Sequence, residues 1–99
     1  MQGVVWGATF ERACKKLKEI EHRYQSLFIP IERKIETKNE YITLFKNGDR
    51  WRATSAFVSK RQRCNISYID LKIDSEVREE VIKPVTSLPP YNAIQYYDI

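Results

Sequence analysis

A β-hairpin centred on Asn47-Gly48 is the feature that most restricts the fold of this chain. The dipeptide stands between two runs rich in β-branched and aromatic residues, 41–45 and 50–54. Asn-Gly favours a type I′ turn, in which both central residues have positive φ. A two-residue turn fixes the register and predicts the cross-strand pairs Leu44–Trp51, Ile42–Ala53, Phe45–Arg50 and Thr43–Arg52. The first two pairs would then share one face of the sheet, and the two arginines would lie on the other face.

An amphipathic helix is predicted upstream of the hairpin. Thr9 is a favourable capping residue, and Glu11 places an acidic group in the first turn. Apolar residues then recur every three or four positions: Phe10, Ala13, Cys14, Leu17, Ile20 and Tyr24. This spacing is typical of a helix with one buried face. The charged residues between them are predicted to face water: Arg12, Lys15, Lys16, Lys18, Glu19 and Arg23.

The remaining elements set the expected fold class. Strand-like runs occur at 4–6, 31–36, 65–70 and 93–97, and a second helix should begin at Asp74 or Ser75. The order strand, helix, hairpin, strand, helix, strand predicts an α/β fold, with a mixed α+β arrangement as the related possibility. We expect a single small mixed sheet that contains a β-hairpin and has two helices packed on it. Residues 1–99 should form one domain.

Composition is consistent with a small globular protein. The chain has 99 residues, of which 42% are hydrophobic, with 17 Lys and Arg against 13 Asp and Glu. That balance argues against disorder and allows one hydrophobic core. No apolar run is long enough for a membrane helix, and the first residues do not have the pattern of a signal peptide. We therefore expect a cytoplasmic protein without a membrane partner. Cys14 and Cys64 are predicted to be free thiols.

Known catalytic patterns are missing from the sequence. The phosphate-binding pattern GxxxxGK[ST] does not occur, nor does the nucleophile pattern GxSxG. His22 lies on the charged side of the predicted helix, and one histidine with two distant cysteines is too few for a zinc site. The paired carboxylates Asp70 and Asp74 are best explained as a strand end and a helix cap. We assign no catalytic residue and expect no cofactor.

Basic residues form the strongest candidate binding site. They cluster on the second strand of the hairpin and in the loop after it: Arg50, Arg52, Lys60, Arg61 and Arg63. Cationic side chains bind nucleic acid by displacing the counterions condensed on the phosphates. Trp51 lies between two of the arginines, but the alternation of the strand predicts that it faces the core and does not stack on bases. The net charge of +4 allows an acidic partner, but a charge of this size usually serves solubility.

Several motifs follow one another in a suggestive order. Phe45-Lys46-Asn47-Gly48-Asp49 precedes the small-residue run Ala53-Thr54-Ser55-Ala56, then Arg61, then the strand Asn65-Ile66-Ser67-Tyr68-Ile69-Asp70. The segment 82–87 and the strand 93–97 continue this order. It resembles the middle of the ATPase domain in the large terminase subunit of tailed bacteriophages, the motor that packages DNA. The resemblance covers most of this chain but only a small part of a terminase subunit.

The resemblance assigns a metal-binding position to Asp70. It matches the Walker B aspartate, which in that family orders Mg²⁺ beside the ATP phosphates. The next residue in the family is the catalytic glutamate, and here it is Leu71. Gln62 replaces the glycine after Arg61, and Asp49 replaces the serine after Asn-Gly. The family's phosphate-binding loop and nuclease domain have no counterpart in the sequence.

The resemblance therefore implies a phage-derived module without catalytic activity of its own. It would act in the host cytoplasm by associating with DNA or with packaging and other phage proteins. Asp70 would bind a metal only if its Walker B role is retained, and Mg-ATP would be a cofactor only if another chain completed the site. The alternative is a stand-alone small basic phage or bacterial protein that binds nucleic acid or an acidic protein. The oligomeric state stays open at this point.

Overall fold

The secondary structure contains the elements expected from the sequence. The computed structural model describes residues 1–55, 64–78 and 93–99. Its elements are β1 (Gln2–Gly7), α1 (Phe10–Ser26), β2 (Ile31–Glu36), β3 (Tyr41–Phe45), β4 (Arg50–Ser55), β5 (Ile66–Asp70), α2 (Ser75–Val77) and β6 (Ala93–Tyr97). The predicted class, a mixed sheet that contains a hairpin and carries two helices, is confirmed. The predicted loop with Lys60, Arg61 and Arg63, and the segment 82–87, lie outside the described residues.

The six strands form one sheet in the order β2-β3-β4-β1-β5-β6. Strands β4, β1, β5 and β6 are parallel, whereas β3 is antiparallel to both β2 and β4. Strand β1 lies in the interior and is buried from Gly3 to Gly7. A parallel strand covered on both faces needs a continuous apolar run, and Val4-Val5-Trp6 supplies it.

Helix α1 packs on one face of the sheet, as its apolar stripe predicts. Thr9 accepts a hydrogen bond from the backbone N–H of Arg12 at 3.2 Å, which confirms the predicted cap. The core beneath the helix contains Val5, Ala13, Leu17, Ile20, Tyr41, Phe45, Trp51, Ala53 and Tyr97. Lys16, predicted to face water, is instead buried. Its ammonium group lies over the rings of Tyr68 and Tyr97, where cation–π attraction compensates for lost water.

Helix α1 ends in a common capping motif that has an unusual residue at its left-handed position. The N–H of Ile29 donates to the carbonyl of Tyr24, and the N–H of Phe28 donates to that of Gln25, both at 3.0 Å. These two bonds define a Schellman motif, in which glycine normally occupies the left-handed position. Here that position is Phe28, with φ of 60° and a side chain that is 93% exposed. The motif therefore holds a bulky residue in a conformation that glycine adopts more easily.

The predicted hairpin register is wrong by one residue. The structure pairs Tyr41–Ala53, Ile42–Arg52, Thr43–Trp51 and Leu44–Arg50. The loop has three residues, 46–48, and within it only Gly48 has positive φ, so the type I′ prediction is also wrong. A type I turn followed by a left-handed glycine is the usual three-residue alternative. Because side chains alternate, the shift turns Phe45 toward α1 and Leu44 away from it.

The side chain of Asp49 explains why this register is preferred. Its carboxylate accepts a hydrogen bond from the hydroxyl of Tyr24 at 2.6 Å, and the hydroxyl in turn accepts one from the indole N–H of Trp51 at 3.0 Å. The N–H of Phe45 donates to the carbonyl of Asp49 at 2.8 Å. These contacts with α1 hold Trp51 on the helix side. Trp51 is buried, as predicted.

A β-bulge in β2 changes the face on which its later residues lie. Ile31 pairs with Phe45 and faces α1, but the register shifts before Arg33, which pairs with Leu44. Ile35 then pairs with Ile42, on the face opposite α1. One extra residue in a strand produces this change of face.

The opposite face of the sheet has its own core beside α2. It contains Val4, Trp6, Cys64, Ile69 and Ile73, with Val77 and Ile94 packed against them. Asp74 accepts a hydrogen bond from the N–H of Glu76 at 2.9 Å, so the second helix begins where it was predicted. Among the described residues, neither helix has the length and apolar character needed to cross a membrane.

Candidate nucleic-acid interface and the Asp70 site

Six side chains on β2, β3 and β4 form a basic surface on the side of the sheet opposite α1. We call this surface the arginine face, and its residues are Arg33, Ile35, Ile42, Leu44, Arg50 and Arg52. Five of them line a groove of about 300 Å³. The bulge in β2 and the shifted hairpin register together create this surface. Neither feature is visible in the hydrophobic pattern of the sequence.

The register fixes the spacing of the three arginines. Arg33 and Arg50 flank Leu44 in one row across the sheet. With strands about 4.8 Å apart, their backbones are about 10 Å apart. Arg52 is two residues along β4 from Arg50, a backbone separation of about 7 Å. The surface therefore presents three guanidinium groups around an aliphatic centre.

The arginines of this face form few ion pairs with the described residues. Arg33 and Arg50 are exposed, and neither forms an ion pair within the part of the chain that the structure describes. Arg52 lies 3.7 Å from Glu40, which is itself exposed. An exposed pair at that distance contributes little to stability and can be exchanged for another anion. All three guanidinium groups can therefore reach an acidic ligand.

Two of the five predicted basic residues are brought together here. Arg50 and Arg52 share the face, as the alternation along their strand predicted. Lys60, Arg61 and Arg63 lie outside the described residues, so their role stays a prediction. Arg33 was not predicted, because only the bulge in β2 places it beside Arg50.

The second candidate site is Asp70, at the carboxyl end of β5. The ends of β1, β5 and β6 meet there, beneath the first turn of α1. The hydroxyl of Tyr97 donates to the carbonyl of Trp6 at 2.9 Å and joins β6 to β1 at this end. In parallel α/β sheets, ligands bind where the carboxyl ends of the strands open. The position of Asp70 agrees with that geometry.

The carboxylate of Asp70 is enclosed by donors from its own chain. Its side chain is 0% exposed. Arg12 donates through Nε at 2.6 Å and Nη2 at 3.0 Å, and the N–H groups of Ala8 and Lys72 each donate at 3.0 Å. Burial by itself raises the pKa of Asp70, but the bonds from Arg12 and the two amides outweigh it and hold the pKa below its usual value. The group is a buried, ionised carboxylate.

Arg12 occupies the place where a cation would approach Asp70. The prediction that Arg12 faces water is wrong, because its guanidinium bridges Asp70 and Asp98, the latter at 3.1 Å. Hydrogen bonds to Asp70 raise the pKa of Arg12, so the bridge stays charged. A metal ion at Asp70 would have to displace this side chain. Across residues 1–55, 64–78 and 93–99, no three acidic, histidine or cysteine side chains are grouped to hold a metal.

Comparison of the chain with models of known protein families, with curated proteins and with solved structures gives no match. The terminase resemblance therefore depends on the sequence motifs alone. Cys14 and Cys64 form no disulfide, and burial raises the pKa of both thiols, which makes them poor nucleophiles.

Proposed function

We propose that this chain is a non-catalytic module of the terminase ATPase type that binds nucleic acid through the arginine face. The observation that carries the proposal is the placement of Arg33, Arg50 and Arg52 on one accessible side of the sheet. Guanidinium groups are weakly hydrated and match phosphate geometry, so they are well suited to this contact.

The lack of catalysis is supported by the Asp70 site. The carboxylate that would order Mg²⁺ is bonded to Arg12 instead. The next position, which carries the catalytic glutamate in terminases, is an exposed leucine, Leu71. A hydrocarbon side chain cannot orient an attacking water. The module therefore contributes binding to its assembly and no hydrolysis.

The aliphatic centre of the arginine face favours a second candidate. Ile35, Ile42 and Leu44 would suit an acidic protein segment that also carries apolar residues. In this reading the arginines would pair with carboxylates and not with phosphates. The same face would be used, so the two candidates are separated by the choice of ligand.

The main test is the salt dependence of DNA binding, measured by fluorescence anisotropy with a labelled duplex and a labelled single strand. Three engaged cations predict a slope of log K against log salt of about −2.7 for the duplex and about −2.1 for the single strand, or a loss of about 40-fold and about 20-fold between 50 and 200 mM salt. Binding that does not change with salt would remove phosphates as the target.

A matched pair of variants tests the location. Replacing Arg33, Arg50 and Arg52 with glutamine should weaken binding at least about tenfold and remove most of the salt slope. The control replaces Lys15 and Lys18 of α1 and Lys72 after β5 with glutamine, which lowers the net charge equally at exposed positions outside β2, β3 and β4. Equal weakening in both variants would show that net charge, and not this face, binds DNA.

Two further measurements separate the alternatives. An acidic peptide that binds the arginine face more tightly than DNA at the same salt concentration would favour the protein-partner candidate. A thermal shift with Mg-ATP tests nucleotide binding, because a ligand at 100 times its Kd stabilises by about 2.7 kcal/mol. We expect no shift, and a clear stabilisation by Mg-ATP would contradict the proposal that this chain alone holds no nucleotide.

A further inference from the structure

The two edges of the sheet are protected to very different degrees. Strand β2 carries charged side chains at Glu32, Arg33, Lys34 and Glu36, and it contains a bulge. Both features prevent an edge strand from pairing with another chain. Strand β6 reads Ala-Ile-Gln-Tyr-Tyr, with no charge, no proline and a regular register against β5. Within the described residues β6 pairs with β5 alone, and no strand of that part of the chain lies at its outer edge.

The outer edge of β6 has backbone groups ready to pair. At the two ends of the strand, the N–H of Ala93 and the C=O of Tyr97 are bonded toward β5, at 3.1 and 2.9 Å. Backbone groups alternate along a strand, so those of Ile94 and Tyr96 point outward. Tyr96 itself is 44% exposed, and Ala93 and Gln95 are also exposed.

We propose that β6 pairs with β6 of a second copy of this chain, antiparallel and with the two-fold axis at Gln95. In this register Ile94 of one copy stands opposite Tyr96 of the other, and the pair exchanges both N–H···O=C hydrogen bonds. The two-fold axis generates a second pair, Tyr96 of the first copy opposite Ile94 of the other. The two pairs together form four backbone hydrogen bonds and use every outward backbone group of Ile94 and Tyr96. A register centred on either of those residues would use only half of these groups within β6.

The side chains at the edge are self-complementary in the same register. Ile94 packs on the face where α2 lies, and Tyr96 is two residues along the strand and shares that face. A β-branched residue opposite an aromatic residue is a favourable cross-strand pair, and the symmetry makes two such pairs. Arg78 lies 5.6 Å from the ring centroid of Tyr96 and helps to fix its position. A closed two-fold contact of this kind stops at a dimer.

Sedimentation velocity and concentration-dependent hydrogen exchange test the proposal. The mass should rise from 11.8 kDa toward twice that value as concentration increases, while the amides of Ile94 and Tyr96 become protected. Each copy carries a net charge of +4, so added salt should strengthen the dimer, whereas it weakens nucleic-acid binding. Failure of one proposal is therefore distinguishable from failure of the other.

Three variants at Tyr96 locate the interface. Tyr96→Pro removes an outward N–H and no bond to β5, so it should abolish the dimer in a chain that still folds. Tyr96→Thr keeps the N–H and the strand preference, and it should retain the dimer. Tyr96→Lys puts a charge on the edge and should also give a monomer. This variant replaces Tyr96→Pro in the test if the proline variant does not fold. A wild-type monomer at every concentration, or an equally strong dimer in Tyr96→Pro and Tyr96→Lys, would overturn the proposal.

Discussion

The Arg12–Asp70 bridge allows one prediction to be worked out in detail. Asp70→Asn keeps the shape of the side chain but removes a buried charge that accepts four hydrogen bonds. The amide has one oxygen, and its NH₂ group would face the donors of Arg12. Removing one partner of a buried ion pair costs about 3–5 kcal/mol. Because Arg12 is partly exposed and keeps Asp98, we expect the lower end, about 3 kcal/mol.

Urea unfolding at pH 7 measures this loss, with Asp74→Asn as the matched control. Asp74 is exposed and caps α2, and asparagine caps a helix equally well, so the control should change stability by less than about 0.5 kcal/mol. In a double-mutant cycle, Arg12→Met and Asp70→Asn together should cost less than the sum of the single changes, because the two side chains interact.

The pH dependence gives an independent check on the same bridge. The pKa of Asp70 is lowered in the folded state, so its contribution to stability is present above the unfolded-state pKa, near 3.9, and is lost as the pH falls through the folded-state value. Asp70→Asn should therefore lose less stability between neutral and acid pH than wild type. An Asp70→Asn variant as stable as wild type, or more stable, would refute the reasoning and indicate a strained carboxylate kept for a metal.

Two glycine substitutions test the packing and the backbone. Gly3→Ala should destabilise the protein by about 1–3 kcal/mol, because the new Cβ would lie 2.5 Å from the ring of Trp51. The ring cannot move away easily, because its hydrogen bond to Tyr24 holds it in place. Thermal unfolding measures the loss, and an unchanged Tm would show that the ring moves freely. Phe28→Gly should stabilise by about 1 kcal/mol, because glycine adopts the left-handed position without strain. The exposed neighbour Leu27, at φ of −93°, provides the control: Leu27→Gly should not stabilise, and a gain in both variants would point to lost surface hydrophobicity instead.

Local patterns in the sequence predicted the elements of the fold well. The apolar stripe, the cap at Thr9 and the start of α2 near Asp74 depend on residues close together in the chain, and the structure confirms all three. The prediction of the hairpin register also depends on local residues alone, and that prediction is wrong. Asn-Gly is compatible with both a two-residue and a three-residue loop, and the choice depends on contacts between Asp49 and Tyr24 of α1.

The candidate sites show the same limit. The sequence predicts that Asp70 ends a strand. It does not predict that Arg12, 58 residues away in the chain, donates hydrogen bonds to its carboxylate. Arg12 lies in the first turn of the helix that follows β1, and knowledge of the strand order would have brought it near Asp70. The place of Arg33 on the arginine face depends on the bulge in β2. The hydrophobic pattern does not reveal this bulge, because the side chains alternate between the two faces of the sheet both before and after it.

The interior position of β1 has a consequence for how the protein folds. Its neighbours begin at Arg50 and Ile66, so β1 cannot pair with either of them until β4 has been synthesised. Strands β2, β3 and β4 are consecutive and can form early, whereas closing the parallel pairs requires long loops and slows folding. The apolar run Val4-Val5-Trp6 is exposed during this interval. Pairing of β1 should therefore be a late step of folding, and the interval before it is the period in which the nascent chain is most open to aggregation.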